Sequence, residues 1–168
     1  MMTVTLTAIT STVTLTVGTN TYVNLADASG YIDTLYDYAA TWAALSADAQ
    51  ARALISATKD IDGCRFSGYK CSDTQSLAFP RVIDTPYPTT DHDRYEVQES
   101  VPQAVINACC CEAAALVTSN RDTLRAAGVS EYSIGSLREK LTGGAKALKS
   151  PRAIRLLKPY LLGAVPVR

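Results

Sequence analysis

Between Val101 and Leu116 apolar side chains recur on three sides of a helix, and no other stretch constrains the fold as much. Val101, Val105, Cys109, Ala113 and Leu116 lie at helical spacing, while Ala104, Ala108, Cys111 and Ala115 widen the apolar face. A helix apolar over so wide an arc has to be enclosed by other elements. Its alanines and cysteines let those elements approach closely. The spacing predicts the central helix of a small bundle, opening near Ser100-Val101-Pro102, where proline costs no internal hydrogen bond.

The enclosing helices are signalled by their caps. Asn24 suits an N-cap, with Asp27 in the first turn where the helix dipole favours an anion, and Tyr31, Leu35 and Tyr38 then share a face beside Ile32. Trp42 falls in the connection that follows. Ser46 caps a second helix with Asp48 in its first turn and Ala47, Ala51, Leu54, Ile55, Thr58 and Ile61 on one stripe, ending at Asp62-Gly63. The short link between these two helices predicts antiparallel neighbours. A last helix opens at Ser150-Pro151, carries Ile154, Leu156, Leu157, Tyr160 and Leu161, and is interrupted at Lys158-Pro159. Ile154, Leu157 and Leu161 are expected to close the core from that side.

The rest is extended or irregular. Val4, Leu6 and Ala8, then Val13, Leu15 and Val17, alternate with threonine, which predicts a β-hairpin turning near Thr10-Ser11-Thr12. Such a ribbon is marginal by itself and must pack on the body or pair with another subunit. Residues 64–99 read as a long loop, because Pro80, Pro86 and Pro88 and the polar run Thr89 to Arg94 forbid a long helix. Phe79, stiffened by Pro80, is the expected grip of that loop on the core, with Trp42 a second anchor. A short strand is expected around Tyr132 to Leu137. The predicted class is therefore mainly α, a bundle of about four helices with an N-terminal hairpin and a proline-containing loop. Its divisions are an arm at 1–21, a helical domain at 22–162 and an extended tail at 163–168.

Composition narrows the function classes. Hydrophobic residues make up 47% and charged residues 19% of the 168, an ordinary balance for one globular domain. No run reaches the roughly 18 apolar residues of a membrane span, and Met1 to Leu6 lacks the basic and apolar regions of a secretory signal, so no membrane partner is expected. Five cysteines, three of them consecutive at Cys109-Cys110-Cys111, make a poor disulfide or metal framework, since neighbours on a helix point about 100° apart. They read as small apolar filler.

The net charge is zero but unevenly placed. Residues 1–100 carry 12 acidic and 6 basic side chains, and residues 101–168 carry 4 acidic and 10 basic ones. An acidic half on one copy facing a basic half on the next would suit head-to-tail association. Catalytic signals are missing. His92, the one histidine, sits between Asp91 and Asp93 in the proline-rich loop and reads as a solvated side chain. No nucleophile elbow, phosphate-cradling loop or dinucleotide turn is present, so no enzyme, cofactor or metal is expected.

Several segments in order resemble one family. They are Tyr22-Val23-x-Leu25-Ala26-x-Ala28 with Tyr31 after it, Trp42 to Ser46, and Ala53-Leu54-Ile55-x-Ala57-Thr58 leading to Ile61-Asp62. Gln75-x-Leu77-x-Phe79-Pro80-Arg81 follows, then Val101-Pro102-x-Ala104-Val105, Ile134 to Leu137, and Leu156-Leu157-x-Pro159-Tyr160-Leu161. Together they are similar to the head-to-tail connector, or adaptor, proteins of tailed bacteriophages. The resemblance implies a virion protein, assembled in the host bacterial cytoplasm, that forms a ring, commonly of twelve copies, under the portal. It implies a portal partner, a stopper or tail-completion partner on the opposite side, and duplex DNA passing through the lumen without sequence-specific binding. Carried over, it points to Arg152, Arg155, Lys158, Tyr160, Val165, Pro166, Val167 and Arg168 as portal-facing. The first seventeen residues and the insert around residues 84–96 depart from the family's minimal pattern. Relatives of this type are also described as resembling primosomal, DnaT-like single-stranded-DNA binders, which is the alternative reading. Base stacking needs aromatics beside positive charge, and here the aromatic-rich half is the acidic one.

Overall fold

The computed structural model describes residues 12–84, 95–118, 131–134, 137–140 and 148–162. Five α-helices are present among them: α1 (Leu25–Ile32), α2 (Ala39–Ala43), α3 (Ala47–Asp62), α4 (Gln103–Thr118) and α5 (Pro151–Leu157). The mainly α class is what the sequence predicts. α4 is the axis: it packs most extensively against α3 and α5 and also meets α1 and α2. Its surface is closed on nearly every side from Ala108 to Ala115. Alanine and cysteine at seven of these eight positions, with Glu112 as the exception, let the surrounding helices pack against it closely.

The caps form as the sequence directs. Asn24 Oδ1 accepts from the Asp27 backbone N–H at 2.9 Å, and Ser46 Oγ accepts from the Ala49 N–H at 3.3 Å. Ser150 Oγ accepts from the Ala153 N–H at 3.2 Å, with Pro151 at the first helical position. Pro102 lies just ahead of α4, and its carbonyl accepts from Val105 and Ile106.

Four local readings are corrected. The helix expected to carry Tyr31 through Tyr38 stops at Ile32, and Trp42 lies inside the short helix α2 rather than in a connection. Its indole Nε1–H donates to Ser29 Oγ at 3.0 Å, tying α2 to α1. α1 meets α4 more extensively than it meets α3, because the α2 turn lifts the chain across the bundle instead of folding it straight back. Ile154 is 42% exposed and does not close the core; Leu157 is buried and Leu161 is half-buried. A seven-residue helix presents only one side to α4, and Ala153 and Leu157 occupy it.

The long loop is organised more than its composition suggests. It contains a three-stranded antiparallel sheet of β1 (Tyr69–Lys70), β2 (Arg81–Asp84) and β3 (Tyr95–Val97), in that order. Tyr69 pairs with Val82 and Val82 with Val97. Gly68 makes the entry possible: its φ is +69°, and a Cβ there would lie 1.9 Å from the Val82 carbonyl oxygen. The Phe79-Pro80 peptide is cis. Near residue 134 the expected single strand is instead a hairpin of β4 (Glu131–Ile134) and β5 (Leu137–Lys140). The first half of the expected N-terminal hairpin lies outside the described residues. After it, Val17 forms an isolated parallel bridge with Thr21.

Candidate interaction surfaces

Phe79 stands where the loop meets the body. It is buried, with the rings of Phe66 at 4.7 Å, Tyr160 at 5.5 Å and Tyr22 at 6.3 Å, all edge-on. Pro80 beside it is half-buried, and Trp42 is buried in the main cluster. Arg81 lies over Phe66 and Phe79 at 5.7 and 5.9 Å, and its guanidinium donates to the carbonyls of Ser67, Gly68 and Ala78 at 2.9, 2.7 and 3.1 Å. Two stretches of chain, at 67–68 and at 78, are thereby pinned to one side chain. Burial lowers the Arg81 pKa from its ordinary value.

Two carboxylates tie parts of the body together through hydrogen bonds. Asp62, at the end of α3, accepts from the Tyr22 hydroxyl and, at 3.2 Å, from the Ala78 backbone N–H. Burial pushes its pKa up, opposed by those hydrogen bonds. The same burial, with the carboxylate as partner, raises the Tyr22 hydroxyl. Glu112 is 0% exposed in the middle of α4. Its two oxygens accept from the Lys149 and Ser150 backbone N–H groups at 2.8 and 2.9 Å, so it seats the start of α5. Desolvation raises its pKa too. Sequence reading passed over Glu112; an acidic residue inside an unbroken apolar run was the available signal, since such a residue needs buried donors. Cys109, Cys110 and Cys111 are buried free thiols, and burial drives all three pKa values up, Cys109 to about 11. Neutral buried thiols behave as small apolar groups.

The residues singled out as portal-facing are separated by the structure. Arg152 is held on the body, its guanidinium 3.0 Å from Asp37 Oδ2 and 5.9 Å from the Tyr38 ring. Arg155 and Lys158 are exposed on the outer side of α5 and the following 3-10 turn (Lys158–Tyr160), close in sequence to exposed Ile154. Tyr160 faces inward onto Phe79, and its carbonyl accepts from the Ser67 N–H and hydroxyl. Leu161 bridges to Phe66, and the Leu162 N–H donates to the Arg65 carbonyl, so the C-terminal stretch is clipped beside the entry to β1. Val165, Pro166, Val167 and Arg168 lie outside the described residues, as do Asp91, His92 and Asp93.

A second surface was not anticipated. Residues opposite one another in an antiparallel ladder share a face, so Tyr69, Val82 and Val97 form a row, with Tyr95 two residues along from Val97. Val82 is covered, but Tyr69, Tyr95 and Val97 are 58%, 50% and 62% exposed. Arg81 and Glu96 belong to the other face.

The chain matches the sequence profile of a family described as "Putative DnaT-like ssDNA binding protein" over residues 7–166. The chain belongs to that family. No curated protein and no solved structure matches it.

Proposed function

We propose that this member of the DnaT-like family is a virion protein, the head-to-tail adaptor of a tailed bacteriophage. In this reading copies assemble as a ring, of about twelve by family resemblance, between the portal and a stopper or tail-completion protein. Duplex DNA passes through the lumen, and the protein has no catalytic role. The observation that carries the reading is the placing of uncommitted side chains. Among the described residues every buried polar side-chain group has a partner, while exposed apolar and basic groups, Ile154, Arg155, Lys158 and Leu162, stand together at the C-terminal edge of the described body. A group of that kind suits contact with another protein better than contact with a small molecule. The ordered segments from Tyr22 to Leu161 support it independently. Residues 1–21 serve as an arm, 22–162 as the rigid body and 163–168 as a portal-directed tail. Removing residues 163–168 is expected to spare folding and weaken binding to purified portal rings; equal binding by the shortened chain refutes the tail assignment.

An acidic or neutral lumen would let the duplex slide, and the charge split makes residues 1–100 the candidates to face it. A ring whose channel is lined by lysine and arginine contradicts that orientation.

Single-stranded-DNA binding is the second reading. The family description favours it, and so do Tyr69 and Tyr95 exposed on one sheet face, since tyrosine rings stack on bases. Oligonucleotide titrations at several salt concentrations test it. Tight binding that weakens steeply with salt supports a strand binder, whereas no binding at near-physiological salt leaves the adaptor.

A further inference from the structure

We infer that the outer edge of β3 is the docking site for the N-terminal arm of a second copy of this chain, which adds to the sheet as a fourth strand. The inference rests on the ring reading and specifies how neighbouring copies are joined.

β3 ends the sheet on one side, all three of its residues are exposed, and among the described residues no strand pairs with its outer edge. An exposed edge strand with apolar side chains is a template for another strand. The arm has the complementary character: Val4, Leu6 and Ala8 alternate with Thr3, Thr5 and Thr7. Paired on β3, the apolar set would extend the row of Tyr69, Val82 and Val97. The threonines would fall on the face of Glu96 and offer it hydroxyl donors.

Direction makes the donor a neighbour. The Val13 N–H is fixed to Asp48 Oδ1 at 2.9 Å, at the start of α3, and Tyr22 reaches Asp62 at its end. Residues 13–22 therefore run along α3 from its first turn to its last, and Thr12, to which the preceding arm is joined, lies at the start of that helix. The sheet follows the other end, where Ala78 is bound to Asp62. α3 has 16 residues, so about 24 Å of helix separates the arm's root from the sheet. An arm reaching its own sheet would have to reverse and retrace that length, while one that continues outward meets the next molecule. Each copy then gives at one end of α3 and receives at the other. That is a heterologous contact, which closes into a ring or runs on as a filament.

The test uses full-length chains. A photoreactive benzophenone amino acid replaces Thr5 in isotopically heavy protein, which is mixed with light wild-type protein, irradiated and mapped by mass spectrometry. Native mass is recorded on the same samples, with and without portal rings. Heavy-to-light cross-links at Tyr95 to Val97 are expected, and Leu6→Lys is expected to raise the concentration needed for assembly at least tenfold. Cross-links confined to one chain, or between chains at other sites, overturn the arm exchange while leaving the ring reading in place. A chain that stays monomeric in every sample overturns both.

Discussion

The bundle around α4 and the sheet of β1 to β3 solve opposite problems. Around α4, alanines and cysteines pack at close range, and Glu112, a strongly polar group in its interior, is paired with two backbone donors. On the sheet, the face carrying Arg81 is joined to the body, and the other covers Val82 but presents Tyr69, Tyr95 and Val97 to solvent. The contrast teaches where function is to be sought. A closed body fixes positions, and the surfaces left open at its rim are available to partners.

The sharpest way to break the contrast is at Phe79, the hinge pin between the regions. Phe79→Ala is expected to cost about 3–5 kcal/mol, by lost transfer and an unfilled cavity, and to loosen the sheet together with α3. Denaturant unfolding measures the loss; a cost below about 1 kcal/mol would mean that the sheet rides on the body without being packed into it.

Next comes Glu112→Ala, which strands the Lys149 and Ser150 N–H groups at the start of α5. A loss of about 2–3 kcal/mol is expected, with amide exchange quickening in Pro151–Leu157 before α3 is affected. Equal exchange in the two helices would contradict the seating role.

Much of this was legible in the sequence and some was not. The caps at Asn24, Ser46 and Ser150 and the burial of α4 follow from local chemistry and period, which a single sequence carries. The sheet does not, because β1 pairs with β2 across ten intervening residues and each strand is too short for period two to show. The end of α1 at Ile32 was equally hidden: Leu35 and Tyr38 continue the helical spacing, and tertiary contacts of Trp42 decide the break. Of the rim, the basic outer side of α5 was readable, whereas the tyrosines of the sheet became a surface only once the register was known.

A smaller effect concerns pH. Burial holds the carboxyls of Asp62 and Glu112 above their ordinary values, so the folded protein binds those protons more tightly than the unfolded chain. Their contribution to stability is fully present below the unfolded values, about 4, and is lost as pH rises through the folded values. Glu112→Gln is expected to remove its part of that decline in urea titrations across pH. A wild-type profile rising through the same window would reverse the sign and contradict the burial argument.

The smallest changes in stability, within about 0.5 kcal/mol, are expected from Tyr95→Ala, Val97→Lys and Arg155→Glu at the open rim. Their effect should appear in assembly and portal binding, measured by native mass, and a stability loss as large as that of Phe79→Ala would show the rim to be core.

Negative-stain imaging and native mass of the purified protein, with and without portal rings, test the central claim directly. The account predicts closed rings seated on the portal; a chain that stays monomeric, leaves the portal bare and binds single-stranded oligonucleotides tightly would contradict it.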